Sequence, residues 1–204
     1  MGIEKIKDRV DVVLLDDAFQ HRSVTPSFSI LLTSYGDLYS DDWILPAGNL
    51  RESKRGADRA DFVVVTKCPD NLSEERMREI EKKLKLKPNQ KLFFTGISYA
   101  SEIKSSTLVQ PLESLKNRTF ALVTGIANPQ PLTEFLLKKN LRFTHHSFPD
   151  HHFFTASELE KLDKEQIILT TEKDFMRLNP HIKNAQLFFL PMEIYFLKNR
   201  EAFV

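Results

Sequence analysis

Short apolar runs alternate with charged stretches of helical period along the whole chain, and this alternation limits the possible folds more than any other feature. Most of the apolar runs are continuous, which is typical of strands covered on both faces. The predicted strands are 10–15, 28–33, 60–66, 91–97, 119–126, 142–148, 166–171 and 185–191. The predicted helices between them are 73–86, 131–140, 155–162 and 172–178. Strands that alternate with helices predict an α/β protein with largely parallel sheets.

The same pattern predicts two lobes. Residues 1–90 form a first set of strands and 119–204 a second α/β unit, and a length of 204 residues suffices for two small domains. The stretch 91–118 is polar and rich in serine and has no helical pattern. We therefore expect it to cross between the lobes as an extended linker.

Composition excludes several classes of protein. A formal net charge of +1 argues against a nucleic-acid partner. The single cysteine, Cys68, cannot form an intramolecular disulfide, which fits a reducing cytoplasm. No run approaches the roughly 18 apolar residues of a membrane span, and the first ten residues lack the apolar core of a secretory signal. We therefore expect no membrane segment in this chain.

Asp16 and Asp17 directly follow the apolar run 10–15. Ligands of open α/β sheets bind beyond the carboxyl ends of the strands, and carboxylate oxygens there suit Mg²⁺, with a nucleotide phosphate completing the coordination. Gln20 and His21 add polar groups to the same loop. The alternative interpretation is a solvated turn, because aspartate is common in turns.

Other polar motifs follow other predicted strands. Arg51 lies in "LPAGNLRES", and its guanidinium can grip a phosphate with two hydrogen bonds. Gly125 in "TGIANP" permits close approach of the backbone to a ligand, and Lys173 in "TTEKD" can reach a phosphate. Each motif also fits a plain surface loop or a capped helix. Together they predict a cleft lined by both lobes.

Four of the six histidines lie in "HHSFPDHHFF", at positions 145, 146, 151 and 152, with Asp150 among them. A histidine oriented by a carboxylate is a good general base. His145 and His146 are neighbours on a predicted strand, so at most one of them faces a given site. The spacing matches no standard zinc signature, and a hydrogen-bonded structural cluster stays open as the alternative.

Six motifs occur in order: "LLDDAFQHR", "LPAGNLRES", "ADFVVVTK", "TGIANP", "FPDHHFFT" and "ILTTEKD". Together they resemble the tetraacyldisaccharide 4′-kinase family, the lipid A 4′-kinases of Gram-negative bacteria. The resemblance implies a P-loop kinase fold of two α/β lobes joined by an extended two-stranded linker. It implies transfer of the γ-phosphate of ATP, with Mg²⁺, to the 4′-hydroxyl of tetraacyldisaccharide 1-phosphate in lipid A biosynthesis. The family acts at the cytoplasmic face of the inner membrane.

The resemblance also assigns roles by position. It places Asp16 and Asp17 at the magnesium ion, His21 and Gln20 in the same active-site loop, and Arg51 at a phosphate of the substrate. It makes His151 the histidine that assists the catalytic base. The residues that it turns toward the nucleotide are Thr124, Gly125, Asn128, Thr171, Glu172, Lys173 and Asp174.

The chain departs from the family pattern in two places. The family usually has glycine where Ala18 stands, and none of the six glycines here is followed by the lysine of a P-loop. We therefore expect the chain to be the C-terminal larger part of such a kinase, without the N-terminal part of the first lobe. We expect it to show an exposed apolar sheet face and little or no kinase activity alone. The alternatives are a metal-dependent hydrolase using Asp16, Asp17 and the 145–152 histidines, or a non-catalytic nucleotide-binding remnant.

Overall fold

The computed structural model describes residues 3–6 and 8–203. The chain folds as two compact units. The first runs up to Gly96 and resumes at Tyr195, and the second comprises Ile97–Ile194. The first unit is therefore discontinuous in sequence, with the whole second unit inserted into it.

The regular elements alternate as the sequence pattern predicts. In chain order the strands are β1 Ile30–Ser34, β2 Phe62–Thr66, β3 Lys91–Tyr99, β4 Glu102–Lys104, β5 Val109–Pro111, β6 Thr119–Thr124, β7 Arg142–Ser147, β8 Ile167–Thr170, β9 Gln186–Phe189 and β10 Met192–Phe196. The α-helices are α1 Glu74–Leu84, α2 Gln130–Lys138, α3 Ala156–Leu162 and α4 Glu172–Leu178. Short 3₁₀ turns cover Ile3–Lys5, Lys54–Arg59, Leu112–Leu115 and Arg200–Ala202.

The first sheet has the strand order β1-β2-β3-β10. The β1/β2 and β2/β3 pairs are parallel, with Ile30 opposite Phe62 and Phe62 opposite Lys91. One face of this sheet packs Val63 and Val65 against Ile80 and Leu84 of α1. The other face carries a cluster of aromatic rings in edge-to-face and tilted contact, formed by Phe28, Phe62, Phe93, Phe196 and Phe203.

The predicted strand over 10–15 is wrong, because these residues form no strand. A strand needs a neighbour that pairs with its backbone amides and carbonyls. Among the described residues β1 is hydrogen-bonded only to β2, and no ladder includes 10–15. The apolar side chains are consequently exposed, with Leu14 at 90%. Ile30 and Leu32 of β1 are exposed as well, as the expectation of an uncovered apolar sheet face requires.

The second sheet has the order β5-β4-β9-β8-β6-β7. Its central pairs, β6/β7, β6/β8 and β8/β9, are parallel, whereas β4 pairs antiparallel with β5 and β9. Phe120 and Leu122 of β6 pack in one core with α2, and Ala121 and Val123 pack in another with α3 and α4. The central strands are apolar throughout because helices cover both of their faces. The predicted α/β class with largely parallel sheets is therefore confirmed.

The stretch 91–118 is more structured than a polar crossing. Besides β3 it contains the β4/β5 hairpin and the 3₁₀ turn Leu112–Leu115. Ile103, Leu112 and Leu115 are buried in the core of the second unit. The few leucines and isoleucines of this segment therefore anchor it, although its serines dominate the sequence pattern.

Helix starts follow the predicted caps. Ser73 accepts a hydrogen bond from the Arg76 amide at the start of α1. Thr155 and Glu158 form the predicted reciprocal capping box of α3. Among the described residues, no helix has both the length and the apolar character needed to cross a bilayer.

Candidate functional site

Asp17 and Arg51 form an ion pair in the first unit. Arg51 Nη1 lies 3.3 Å from Asp17 Oδ2, and both side chains are largely exposed. Asp17 has a left-handed backbone conformation with φ 47°, which aspartate tolerates better than most residues. Positive φ therefore falls on Asp17 and not on Ala18, the position where the family usually has glycine.

The other predicted residues of this loop also face solvent. Asp16, Gln20 and His21 are exposed. The His21 amide donates to the Ala18 carbonyl at 2.8 Å, and its ring Nδ1 lies 2.8 Å from Ser23 Oγ. The loop thus gathers two carboxylates, an amide and an imidazole on one turn, as predicted from their spacing.

Glu52, the neighbour of Arg51, holds this loop in place. Its carboxylate accepts hydrogen bonds from Arg59 at 2.6 and 3.1 Å and from Arg22 at 3.0 Å. Arg59 also donates to the Phe19 carbonyl and lies over the Phe19 ring. These arginines, Arg59 foremost, lower the pKa of Glu52 below its ordinary value.

Sequence reasoning missed Glu52 and selected Arg51 from the same motif. One sequence feature pointed to Glu52, namely that Gly56 follows it four residues later. A Cβ on Gly56 would lie 2.6 Å from the Glu52 carboxyl carbon, so glycine leaves room for the buried part of this side chain.

Asp150 lies at the centre of a cluster of predicted site residues in the second unit. Its Oδ1 accepts hydrogen bonds from Lys173 Nζ at 2.8 Å and from the His151 amide at 3.0 Å. His151 Nε2 lies 3.6 Å from Asp150 Oδ2, and His151 has φ 59°. The Lys173 ammonium, with the His151 ring, holds the pKa of Asp150 below its ordinary value.

The two neighbouring histidines have different environments. The His152 side chain is 22% exposed, stacks on Phe148 and lies 3.0 Å from Glu158 through its Nε2. The His151 side chain is 79% exposed. Thr155 and then His152 lower the pKa of Glu158 to about 2. His152 thus belongs to the cap of α3, whereas the imidazole of His151 is accessible.

Asp174 connects two loops at the carboxyl ends of β6 and β8. It is fully buried, accepts from the Gly125 amide at 2.8 Å and from Thr171 Oγ1 at 2.9 Å, and pairs with Arg177. A Cβ on Gly125 would lie 2.9 Å from Asp174 Oδ1. Glycine is therefore required here by the close approach of this carboxylate.

Two of the residues predicted to face a nucleotide differ from that prediction. Thr124 and Asp174 have no exposed surface, and the Thr124 hydroxyl lies 2.8 Å from His145 Nε2. Their polar atoms bond within the unit because a buried polar group needs a partner. Asn128, Glu172 and Lys173 are exposed, so these side chains are accessible to a ligand.

The histidines do not gather around one point. Besides His152 with Glu158, His145 bonds Thr124, and His146 lies 3.8 Å from Glu165. Partial desolvation and the nearby His146 lower the pKa of His145. Within 3–6 and 8–203, no cluster of three or more His, Cys, Asp or Glu side chains has the geometry to hold a metal ion. The hydrolase alternative, which needs such a cluster, has no support.

The structure therefore brings the predicted residues together in three groups. Asp17 lies with Arg51 in the first unit. In the second unit Asp150 joins His151 and Lys173, and Asp174 joins Gly125 and Thr171. The two groups of the second unit lie at strand ends or in the loops that follow them, whereas Asp17 precedes β1 and follows no strand of the described chain.

Three proteins similar to this chain share one name. The tetraacyldisaccharide 4′-kinase of Flavobacterium johnsoniae is 47% identical over 94% of this chain and 57% of its own length. Those of Flavobacterium psychrophilum and Bacteroides thetaiotaomicron are each 40% identical, over 99% and 98% of this chain and 61% and 60% of their own. The chain thus spans about three-fifths of the length of these relatives.

A solved structure agrees. The crystal structure of LpxK from Aquifex aeolicus in complex with ATP superposes with a TM-score of 0.67 and 27% identity, over 98% of this chain and 58% of that one. The family model for tetraacyldisaccharide-1-P 4′-kinases matches residues 2–204. The chain belongs to the tetraacyldisaccharide-1-P 4′-kinase family.

Proposed function

We propose that this chain serves a kinase that transfers the γ-phosphate of ATP to the 4′-hydroxyl of tetraacyldisaccharide 1-phosphate in lipid A biosynthesis. The family match over residues 2–204 supports the reaction class. The observation that carries the proposal for this chain is the Asp17–Arg51 pair, which places a carboxylate and a phosphate-binding group side by side at the surface. Binding of ATP to the related LpxK supports ATP as the phosphoryl donor.

Asp16 and Asp17 fit a magnesium ion. Mg²⁺ in kinases is held by one or two carboxylates together with phosphate oxygens and water. Both aspartates are exposed on one turn, and the described part of the chain holds no larger group of metal ligands. When bound, the ion would neutralise charge on the transferred phosphoryl group.

Arg51 provides the phosphate contact in this proposal. Its guanidinium is exposed and already oriented by Asp17. An arginine fork matches the geometry of phosphate oxygens, so a phosphate of the lipid or the nucleotide can replace the carboxylate as its partner. Gln20 and His21 are exposed in the loop that carries Asp17. In this proposal they contact the substrate beside Arg51.

His151 assists the base that accepts the proton of the 4′-hydroxyl. Its exposed ring lies beside Asp150, which Lys173 in turn holds. A carboxylate next to an imidazole fixes the orientation of the ring. Asn128 and Glu172 are proposed to face the nucleotide, and Thr124, Gly125, Thr171 and Asp174 to keep these loops in position.

The acceptor carries four acyl chains, so the complete protein is proposed to work as a peripheral protein at the cytoplasmic face of the inner membrane. The formal net charge of +1 argues against a nucleic-acid partner.

Phosphoryl transfer by the complete protein that contains this chain tests the proposal. Asp17→Asn and His151→Ala should each lower kcat by at least about a hundredfold, since positioning and charge stabilisation supply most of the catalysis. Asp11→Asn and His181→Ala serve as controls. They change exposed residues of the same types that belong to neither the Asp17 group nor the Asp150 group, and they should leave turnover unchanged. Retained turnover in the first pair would contradict the assigned roles.

A further inference from the structure

The loop after Asp42 displays three consecutive large apolar side chains. Trp43, Ile44 and Leu45 are 69%, 48% and 59% exposed. The loop 43–50, "WILPAGNL", contains no charged residue, and we call it the Trp43 loop. Exposed apolar residues that are contiguous mark interaction surfaces, whereas scattered ones need no explanation.

The Trp43 loop is a built structure. The Asp42 carboxylate accepts hydrogen bonds from the amides of Trp43, at 2.7 Å, and Asn49, at 3.1 and 3.2 Å. Across the loop, the Leu45 amide donates to the Leu50 carbonyl and the Leu50 amide donates to the Trp43 carbonyl, at 3.0 Å each. A Cβ on Gly48 would collide with the Asp42 carboxylate and the Trp43 backbone. The apolar side chains are thus held outward before any partner arrives, which lowers the cost of binding.

The charges around the loop favour an anionic partner. Lys54 lies over the Trp43 ring, with Nζ 5.6 Å from its centre, and Arg55 beside it is exposed. Asp42 is turned to the amides of the loop, and Asp41 pairs with Lys83 at 2.6 Å. Glu52 and Asp58, which flank the two cations in sequence, pair with Arg59 at 2.6 Å and with Lys87 at 3.1 Å. Lys54, which also donates to the Ser40 carbonyl at 2.6 Å, and Arg55 therefore accompany the exposed apolar residues, while each of these acids has a local partner.

We propose that the Trp43 loop inserts into the surface of an anionic lipid bilayer, with Lys54 and Arg55 at the headgroups. Tryptophan beside lysine or arginine is typical of side chains at a membrane interface. Leu50 at the base of the loop is bonded to Trp43 and precedes Arg51. Insertion here would bring the phosphate contact to the level of lipid headgroups. The inference rests on the proposed lipid substrate and names the element that meets the membrane.

Trp43 is the only tryptophan of the chain, so its fluorescence reports on this loop alone. The purified chain is mixed with vesicles of phosphatidylglycerol and phosphatidylethanolamine, or of phosphatidylcholine alone. On the anionic vesicles we expect the emission to shift to shorter wavelength and to be quenched by brominated acyl chains. The double variant Ile44→Ser/Leu45→Ser keeps the probe and should lower the partition coefficient by at least about tenfold.

Two further variants sharpen the test. Lys54→Gln/Arg55→Gln should weaken binding to the anionic vesicles and leave binding to phosphatidylcholine unchanged. Leu137→Ser removes a similarly exposed leucine that lies beside Lys138 and Lys139, and it should change nothing. Circular dichroism checks that each variant is folded.

Vesicle binding that leaves Trp43 emission unchanged would overturn the proposal, as would equal binding to phosphatidylcholine. Self-association that the Ile44→Ser/Leu45→Ser variant abolishes would assign the loop to a second copy of the chain instead. None of these measurements uses ATP or the disaccharide. A failed insertion alongside normal phosphoryl transfer by the complete protein would therefore remove this inference alone.

Discussion

Lys173 donates a hydrogen bond to Asp150, from Nζ to Oδ1 at 2.8 Å, and the same oxygen accepts the backbone amide of His151. Lys173, on α4, thus fixes the position of the loop that carries the exposed His151. Lys173 was predicted from the sequence to reach a phosphate. In the structure it binds the carboxylate of Asp150, which lies beside the His151 ring.

Lys173→Met should release Asp150 and lower kcat of the complete protein about tenfold, since small misplacements of a reacting group are costly. The pKa of Asp150 should rise toward its ordinary value because its main cause of lowering is lost. NMR titration of the Asp150 carboxyl measures this directly. Lys173→Arg should restore both quantities, and Lys164→Met, at an exposed site of the same type, should alter neither. An unchanged Asp150 titration in Lys173→Met would contradict this role.

Glu52→Gln should loosen the 16–22 loop. The substitution weakens the hydrogen bonds to Arg22 and Arg59, at a cost of about 1 kcal/mol for partly exposed charged groups. Hydrogen exchange of the amides in 16–22 should accelerate. Glu113→Gln breaks an exposed pair with Lys116 and serves as the control. Equal exchange in the wild type and the Glu52 variant would show that the loop does not depend on this carboxylate.

Asp174→Ala should destabilise the second unit by about 3 kcal/mol. It leaves the Gly125 amide and the Arg177 guanidinium without their partner, and each unsatisfied group costs ~1–3 kcal/mol. Urea unfolding measures the change. Glu160→Ala, at an exposed position of α3, should stay within about 0.5 kcal/mol of the wild type. A similarly small effect of Asp174→Ala would mean that water replaces the carboxylate.

Glu158 should give the cap of α3 a dependence on acid pH. Its pKa is lowered from 4.5 to about 2 in the folded chain, so its stabilising contribution is complete above pH 4.5 and is lost as the pH falls through about 2. In Glu158→Gln, the free energy of unfolding should fall less steeply as the pH is lowered from 4.5 to about 2. NMR titration of the same carboxyl in His152→Ala should show a higher midpoint, because one of its hydrogen-bond donors is gone. A midpoint of 4.5 in the wild type would exclude the observed geometry in solution.

The sequence predicted most of the second unit because its signals are local. Continuous apolar runs identify β6 and β8, and Thr155 with Glu158 identifies the start of α3. The failure at 10–15 has a different origin. A strand depends on a neighbour that is distant in sequence, and periodicity carries no information about whether that neighbour is present.

The candidate site shows the same division. The loops could be located because polar residues follow apolar runs, and Asp17, Arg51 and His151 of these loops lie on accessible surface. The burial of Asp174 and the role of Glu52 could not be inferred, since both depend on contacts with residues far away in sequence, Gly125 for one and Arg22 for the other. Telling His151 from His152 likewise required the position of Phe148 and Glu158.

The discontinuity of the first unit has a consequence for synthesis on the ribosome. Phe196 and Phe203 cover Phe93, and these late residues leave the exit tunnel only after the whole of Ile97–Ile194. The inserted unit is encoded in one stretch and can therefore acquire its native structure first. The unit bearing Asp17 and Arg51 must wait, with the Phe93 side of its sheet uncovered, until residues 195–203 emerge.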